Sequence, residues 1–258
     1  MGKKTRFVAV MAAAVGVNLA GVSLWAQNHG QDQKADRWEE AVPGKPDLVK
    51  VTHIFRNQKG KGRSGPACSC PGSDGSNYSL EKVKWFNPID YTLYTAGSGL
   101  GSAVGVAIAN SFSVWRVAEP NAPEIRPTQN DADPAPGIAL DAVQAVTWAP
   151  ISALYGSDTL AVTVYWYTRA KIGGFSKVVH FDMAFNTDYS WSLLGAAESC
   201  GAGGAFDVRN VATHEAGHVY GTAHNNDCNL TMNPTAAGGE TIKSSLAPGD
   251  QKGIQAIY

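Results

Sequence analysis

The chain has 258 residues, with 21 basic and 22 acidic side chains and a formal net charge of −1. With no basic excess, no Lys/Arg run on the scale of a nucleic-acid footprint and no acidic tail, nucleic acid is excluded as an expected partner. A charged fraction of 17% beside 28 glycines suits a folded exported enzyme, and the length suits one good-sized domain behind a short leader.

Residues 1–26 read as an export signal. Lys3, Lys4 and Arg6 make a positive start, residues 7–26 carry no charge, and Leu24-Trp25-Ala26 ends in a small residue that suits cleavage after Ala26. The alternative is an uncleaved anchor, because an uncharged stretch of that length could just span a bilayer. Removal is favoured because the stretch is rich in Ala and Gly and holds Asn18. No later segment is long and apolar enough to span, so the mature chain is expected to be secreted, free of membrane and monomeric.

Residues 27–77 differ in composition. Residues 31–40 are polar and charged, 48–55 could form a short strand, and 57–65 are a Lys/Gly/Arg/Ser stretch expected to be flexible. The region reads as a propeptide or amino-terminal extension, which leaves 78–258 as the catalytic domain. The four cysteines are Cys68, Cys70, Cys200 and Cys228, and an even count in an exported chain favours disulfides. Three pairings are open; Cys200 with Cys228 is favoured, since the pair brackets residues 207–220.

Within 78–258, a strand is predicted after Pro88, up to residue 95. Residues 100–117 place Val104, Ile108, Phe112 and Trp115 on one helical face. Strands follow at 138–148, at 160–167, a run of branched and aromatic residues, and at 177–186. Helices are predicted over about 207–220 and 248–258. This order fits an α+β layout with a mixed, twisted sheet.

Residues 214–224 read His214-Glu215-Ala216-Gly217-His218-Val219-Tyr220-Gly221-Thr222-Ala223-His224. His214 and His218 leave the same helical face one turn apart, as two ligands of one zinc ion need. Glu215 points beside the metal, where it can take a proton from zinc-activated water. Gly221 lets the chain leave the helix sharply, so that His224 can swing back as the third ligand. Three neutral imidazoles leave a fourth position open, the arrangement of catalytic rather than structural zinc.

The segment matches the long zinc signature of the metzincin metallopeptidases, H-E-x-x-H-x-x-G-x-x-H, and Leu230-Thr231-Met232-Asn233-Pro234 resembles their methionine turn. Within that clan the chain most resembles the matrixins. Residues 206–213 resemble the run into the matrixin zinc helix, 250–258 the last helix, and 181–186 the central strand. Asn225 stands where matrixins commonly have serine.

The resemblance implies a five-stranded mixed sheet with about three helices, a small lower subdomain and a cleft between the two. It implies a secreted endopeptidase with one catalytic zinc per chain, acting on protein or peptide substrates, with Glu215 as general base and Met232 as an apolar floor under the histidines. The substrate is expected extended along a sheet edge, with residues 225–241 shaping the pocket after the scissile bond. A thiolate from Cys68 or Cys70 at the open zinc position would keep a zymogen silent, although the sequence around them does not match the usual matrixin pattern. Calcium is a structural candidate at Asp131 with Asp133 and at Asp74 with Asn77, where solvated turns are the default. His180 and Asp182 share a strand face and read as satisfied strand residues before a second metal site. Asp250 reads as a helix-start and packing residue.

Overall fold

A computed structural model describes residues 35–58, 73–131, 135–195, 199–201 and 203–258. The export signal, Cys68, Cys70 and Asp133 lie outside the described residues.

The strands are β1 (Arg37–Val42), β2 (Lys45–Asn57), β3 (Val83–Lys84), β4 (Ile89–Tyr94), β5 (Ile125–Asn130), β6 (Ala145–Ala149), β7 (Thr159–Ile172), β8 (Phe175–Asn186), β9 (Trp191–Ser192), β10 (Phe206–Asp207) and β11 (Thr235–Ala236). The helices are α1 (Val104–Ala118), the single turn α2 (Ser152–Tyr155), α3 (Val208–Tyr220) and α4 (Pro248–Gln255). The main sheet runs β1-β2-β7-β8-β6-β4-β5, with β11 beside β2 and β3 beside β8. Strands β4, β5, β6 and β8 are parallel; β7 is antiparallel to β8, and β2 antiparallel to β7. Mixed pairing with segregated helices is the expected α+β class.

The resemblance implies five strands, and β5-β4-β6-β8-β7 make up that number; the region read as an extension adds β1 and β2 to them. An antiparallel strand left unpaired would show a row of amides and carbonyls, and β2 satisfies that row along β7. Strand β5 escaped the sequence reading. Its residues after Ile125 are mostly exposed and it contains Pro127, so it has neither alternation nor a full set of donors, which only an edge strand tolerates. The strand predicted over 138–148 is confined to Ala145–Ala149. The amides of Ala139 and Ala145 instead donate to the two carboxylate oxygens of Asp182, at 3.0 and 2.9 Å.

Helix α1 buries Val104, Ile108, Phe112 and Trp115 against α3 and the sheet, as its spacing predicts. The Trp115 indole donates to the Thr213 carbonyl at 2.8 Å, which fixes α3 against α1. Among the described residues, no helix is long and apolar enough to cross a membrane.

Candidate metal centre

Helix α3 begins where the Asp207 carboxylate caps the Asn210 amide at 2.7 Å. It ends at Gly221, which has φ of +100°; a Cβ there would also stand 2.3 Å from the Val83 carbonyl oxygen. Glycine is therefore required twice over, for the left-handed exit and for the close approach of β3.

The exit brings three imidazoles together. His214 Nε2 lies 3.1 Å from His224 Nε2 and 3.2 Å from His218 Nε2. Ligands of a tetrahedral zinc with Zn–N bonds of about 2.05 Å stand about 3.3 Å apart, so these nitrogens fit one ion. The outer nitrogens are held by backbone: His214 Nδ1 faces the Thr231 carbonyl at 2.7 Å and His218 Nδ1 the Thr222 carbonyl at 3.0 Å. Each Nδ1 carries its proton toward a carbonyl, which leaves the Nε2 lone pairs facing one another. Desolvation lowers His214 and His218 well below the usual histidine range and His224 to about 3, so all three are neutral donors near neutral pH.

Glu215 is fully buried. Its Oε2 accepts from Thr163 Oγ1 at 2.5 Å, while Oε1 has no hydrogen-bond partner. Burial pushes its carboxyl up to about 8, against the opposing hydrogen bond from Thr163. That is a range from which a carboxyl can both take and give a proton near neutral pH.

The methionine turn lies beneath. Met232 is 3% exposed. Asp250, in α4, accepts from the amides of Thr231 at 2.8 Å, Met232 at 3.3 Å and Ala247 at 3.0 Å. It is thus the helix-start and packing residue the sequence suggests, and it also pins the carbonyl that holds His214. A buried network anchors the start of α3: Glu240 Oε1 accepts from Lys243 Nζ and from Asn210 Nδ2, and the Lys243 amide donates to Asn210 Oδ1 at 2.7 Å.

The sequence reading missed His53. The histidine stands in β2, in register with Thr163 of β7, and its ring stacks on His218 with centroids 3.8 Å apart. One ring nitrogen each of His53, His218 and His224 lie within 4.8 Å of one another. Phe55, two residues on, stacks on His214 at 4.0 Å. The clue in the sequence was thin: His53 is one of only six histidines and sits in a β run.

The lesser candidates make local contacts, although His180 Nε2 is buried without a hydrogen-bond partner. His180 Nε2 lies 3.4 Å from Asp182 Oδ1, but both Asp182 oxygens are taken by the 139–145 loop. Asp131 accepts from Thr95 and Gln129, and Asp74 from the Ser76 amide. Cys200 and Cys228 are each disulfide-bonded.

Residues 167–258, which hold His214, His218, His224 and the methionine turn, match the family described as Matrixin. The chain is 30% identical over 195 residues to human neutrophil collagenase, covering 75% of this chain and 37% of that protein. It is 24% identical over 199 residues to karilysin of Tannerella forsythia, covering 73% and 36% respectively. It is 27% identical over 183 residues to human matrix metalloproteinase-16, covering 70% of this chain and 28% of that protein. The chain thus spans about a third of the length of these curated relatives. The family implies a catalytic zinc, and the donor set fits one. On its family match, its fold and its signature, the chain is a matrixin-like metzincin.

Proposed function

We propose that this chain is a secreted zinc-dependent endopeptidase that hydrolyses peptide bonds in extended segments of protein substrates. The observation that carries the reading is the convergence of three Nε2 atoms at 3.1–3.2 Å beside a buried carboxylate with one unpartnered oxygen. His214, His218 and His224 hold the metal. When bound, zinc supplies Lewis acidity toward the scissile carbonyl and activates water at neutral pH.

The chain's own groups do the rest. Glu215 takes the proton from the attacking water at Oε1 and returns it to the departing amine nitrogen. Thr163 holds the other carboxylate oxygen, so that Oε1 keeps its aim. The carbonyls of Thr231 and Thr222 keep the donor nitrogens of His214 and His218 turned inward. The antiparallel strand β7 is suited to backbone pairing with an extended peptide along the edge that β2 occupies, with β11 on the far side of β2.

Residues 1–26 act as a removable export signal, 27–77 as an amino-terminal extension and 78–258 as the catalytic unit, which works as a monomer. Calcium has a structural part at most. The test is cleavage of an unstructured protein by wild type beside Glu215→Ala, both freed of the amino-terminal extension, with zinc content measured in both. Cleavage lost in the zinc-loaded variant supports the reading; equal cleavage by both refutes it.

A further inference from the structure

Strand β2 lies where the proposed substrate would lie. It runs antiparallel to β7 from Leu48 opposite Thr168 to Arg56 opposite Thr159, and parallel to β11. On the far side, the Arg56 amide donates to the Pro234 carbonyl at 3.0 Å and the Gln58 amide to the Ala236 carbonyl at 2.8 Å. The segment is thus held on both edges, as an extended peptide between two strands is held. Its alternate side chains Val51, His53 and Phe55 are fully buried, and the last two stack on His218 and His214.

His53 faces the residues that matter for the chemistry. It is opposite Thr163, whose hydroxyl holds Glu215. Its Nε2 lies 3.5 Å from the Tyr165 hydroxyl and 3.6 Å from Glu81 Oε1, while its Nδ1 is buried with no hydrogen-bond partner. A buried imidazole nitrogen without a partner is costly unless something binds it. One ring nitrogen of His53 lies within 4.8 Å of one each of His218 and His224, so a metal ion shared with them is the partner at hand.

The hairpin is also clamped from outside the groove. Arg37 in β1 makes a forked pair with Glu81, and Arg56 pairs with Asp36 and with Asp158 at 2.7 Å. Glu81 is tied in turn to the exit of α3, its amide donating to the Gly221 carbonyl at 3.0 Å. The contacts join the hairpin to both walls of the metal site.

We propose that the β1–β2 hairpin is an intramolecular occupant of the substrate groove, and that it closes the fourth zinc position with the His53 imidazole. This rests on the peptidase reading above. The chain is silent while the hairpin is seated and becomes competent when β2 leaves. The role expected of a cysteine is thereby assigned to a histidine.

The test uses the full zinc-loaded chain with a recognition sequence for an unrelated protease inserted in residues 59–65, ahead of Cys68. A second full-length protein carries Val51→Asp and Phe55→Asp, which put carboxylates into the buried face of β2 and expel it without a cut. The probe is a zinc-chelating hydroxamate on an extended, fluorescent tripeptide. Cobalt substituted for zinc reports the donor set by visible absorption.

If the open form is about one per cent of the intact chain or less, the intact chain binds the probe about 100-fold more weakly than either released protein. A synthetic peptide of residues 45–57 then restores the block, and its His53→Ala version does so at least tenfold less well. Probe affinity in the intact chain within threefold of the released proteins overturns the occlusion. Identical cobalt spectra for intact wild type and intact His53→Ala overturn the assignment of His53 as a donor. Released protein that binds the probe but cleaves no peptide leaves the occlusion standing and sinks the peptidase reading.

Discussion

Gly217→Ala sets two forces against each other inside the zinc helix. Alanine in a helix interior is favoured over glycine by about 1 kcal/mol. Here, however, the added Cβ would stand 2.3 Å from Met232 Sδ, 2.6 Å from Trp115 Cζ2 and 2.7 Å from Thr222 Oγ1. Ordinary contacts lie at about 3.5–4.0 Å, so each neighbour must retreat by about 1 Å. Trp115 is fully buried and its indole is bonded to Thr213, so it has nowhere to go.

Overpacking of this kind costs about 1–3 kcal/mol, and three clashes from different directions argue for the upper end. The net loss is then about 2 kcal/mol, or about 4–8 °C in melting temperature for a domain of this size. Displacing Met232 and Thr222 also disturbs the two carbonyls that orient His214 and His218, which weakens zinc binding about 10–100-fold. Thermal unfolding of the zinc-free protein and competition with a zinc chelator measure the two effects separately. Gly105→Ala in α1 is the control: its Cβ meets only the flexible amide end of exposed Gln129 inside 3 Å, so stability should be unchanged or slightly higher. A Gly217→Ala protein that melts at or above the wild-type temperature and keeps full zinc affinity would refute the reasoning.

Lys243→Met leaves Glu240 buried without its cation and is expected to cost about 3–5 kcal/mol in urea unfolding. Asp250→Ala strips the acceptor from three amides, with a loss of about 3 kcal/mol and weaker zinc binding by chelator competition. Thr163→Val removes the bond that holds the Glu215 carboxyl down, so its proton affinity rises. The acid limb of the pH–rate profile then moves to higher pH, with about tenfold less cleavage at pH 7 and unchanged zinc content; a shift to lower pH would contradict the assignment. Removing zinc should lower the melting temperature reversibly, by about 10 °C where free zinc had stood at about a thousand times its dissociation constant.

Much of the molecule was readable along the chain. The spacing from His214 to His224 and the glycine between them describe a local object, one helix and its exit, so sequence alone carried it. The apolar periodicity of α1 and the branched run of β7 were equally plain, because each element buries a whole face. Strand β5 was not readable, since an edge strand with exposed residues has no pattern to show. The loop at 138–144 resisted for a different reason: its Ala139 amide is satisfied by Asp182, a partner 43 residues away.

The zinc signature, the matrixin likeness and the α+β order of elements are all written along the chain. Only the folded chain shows what surrounds Glu215 and the histidines: Thr163 on Glu215, Thr231 and Thr222 on His214 and His218, Asp250 on the amides of the methionine turn. It also shows that residues 45–57 lie along β7 with His53 against His218. Apart from Thr222 on His218, four residues away, such pairings join residues 17 to 165 positions apart, and neither periodicity nor spacing records them. They follow from which buried edges and donors must be satisfied once the chain has closed on itself.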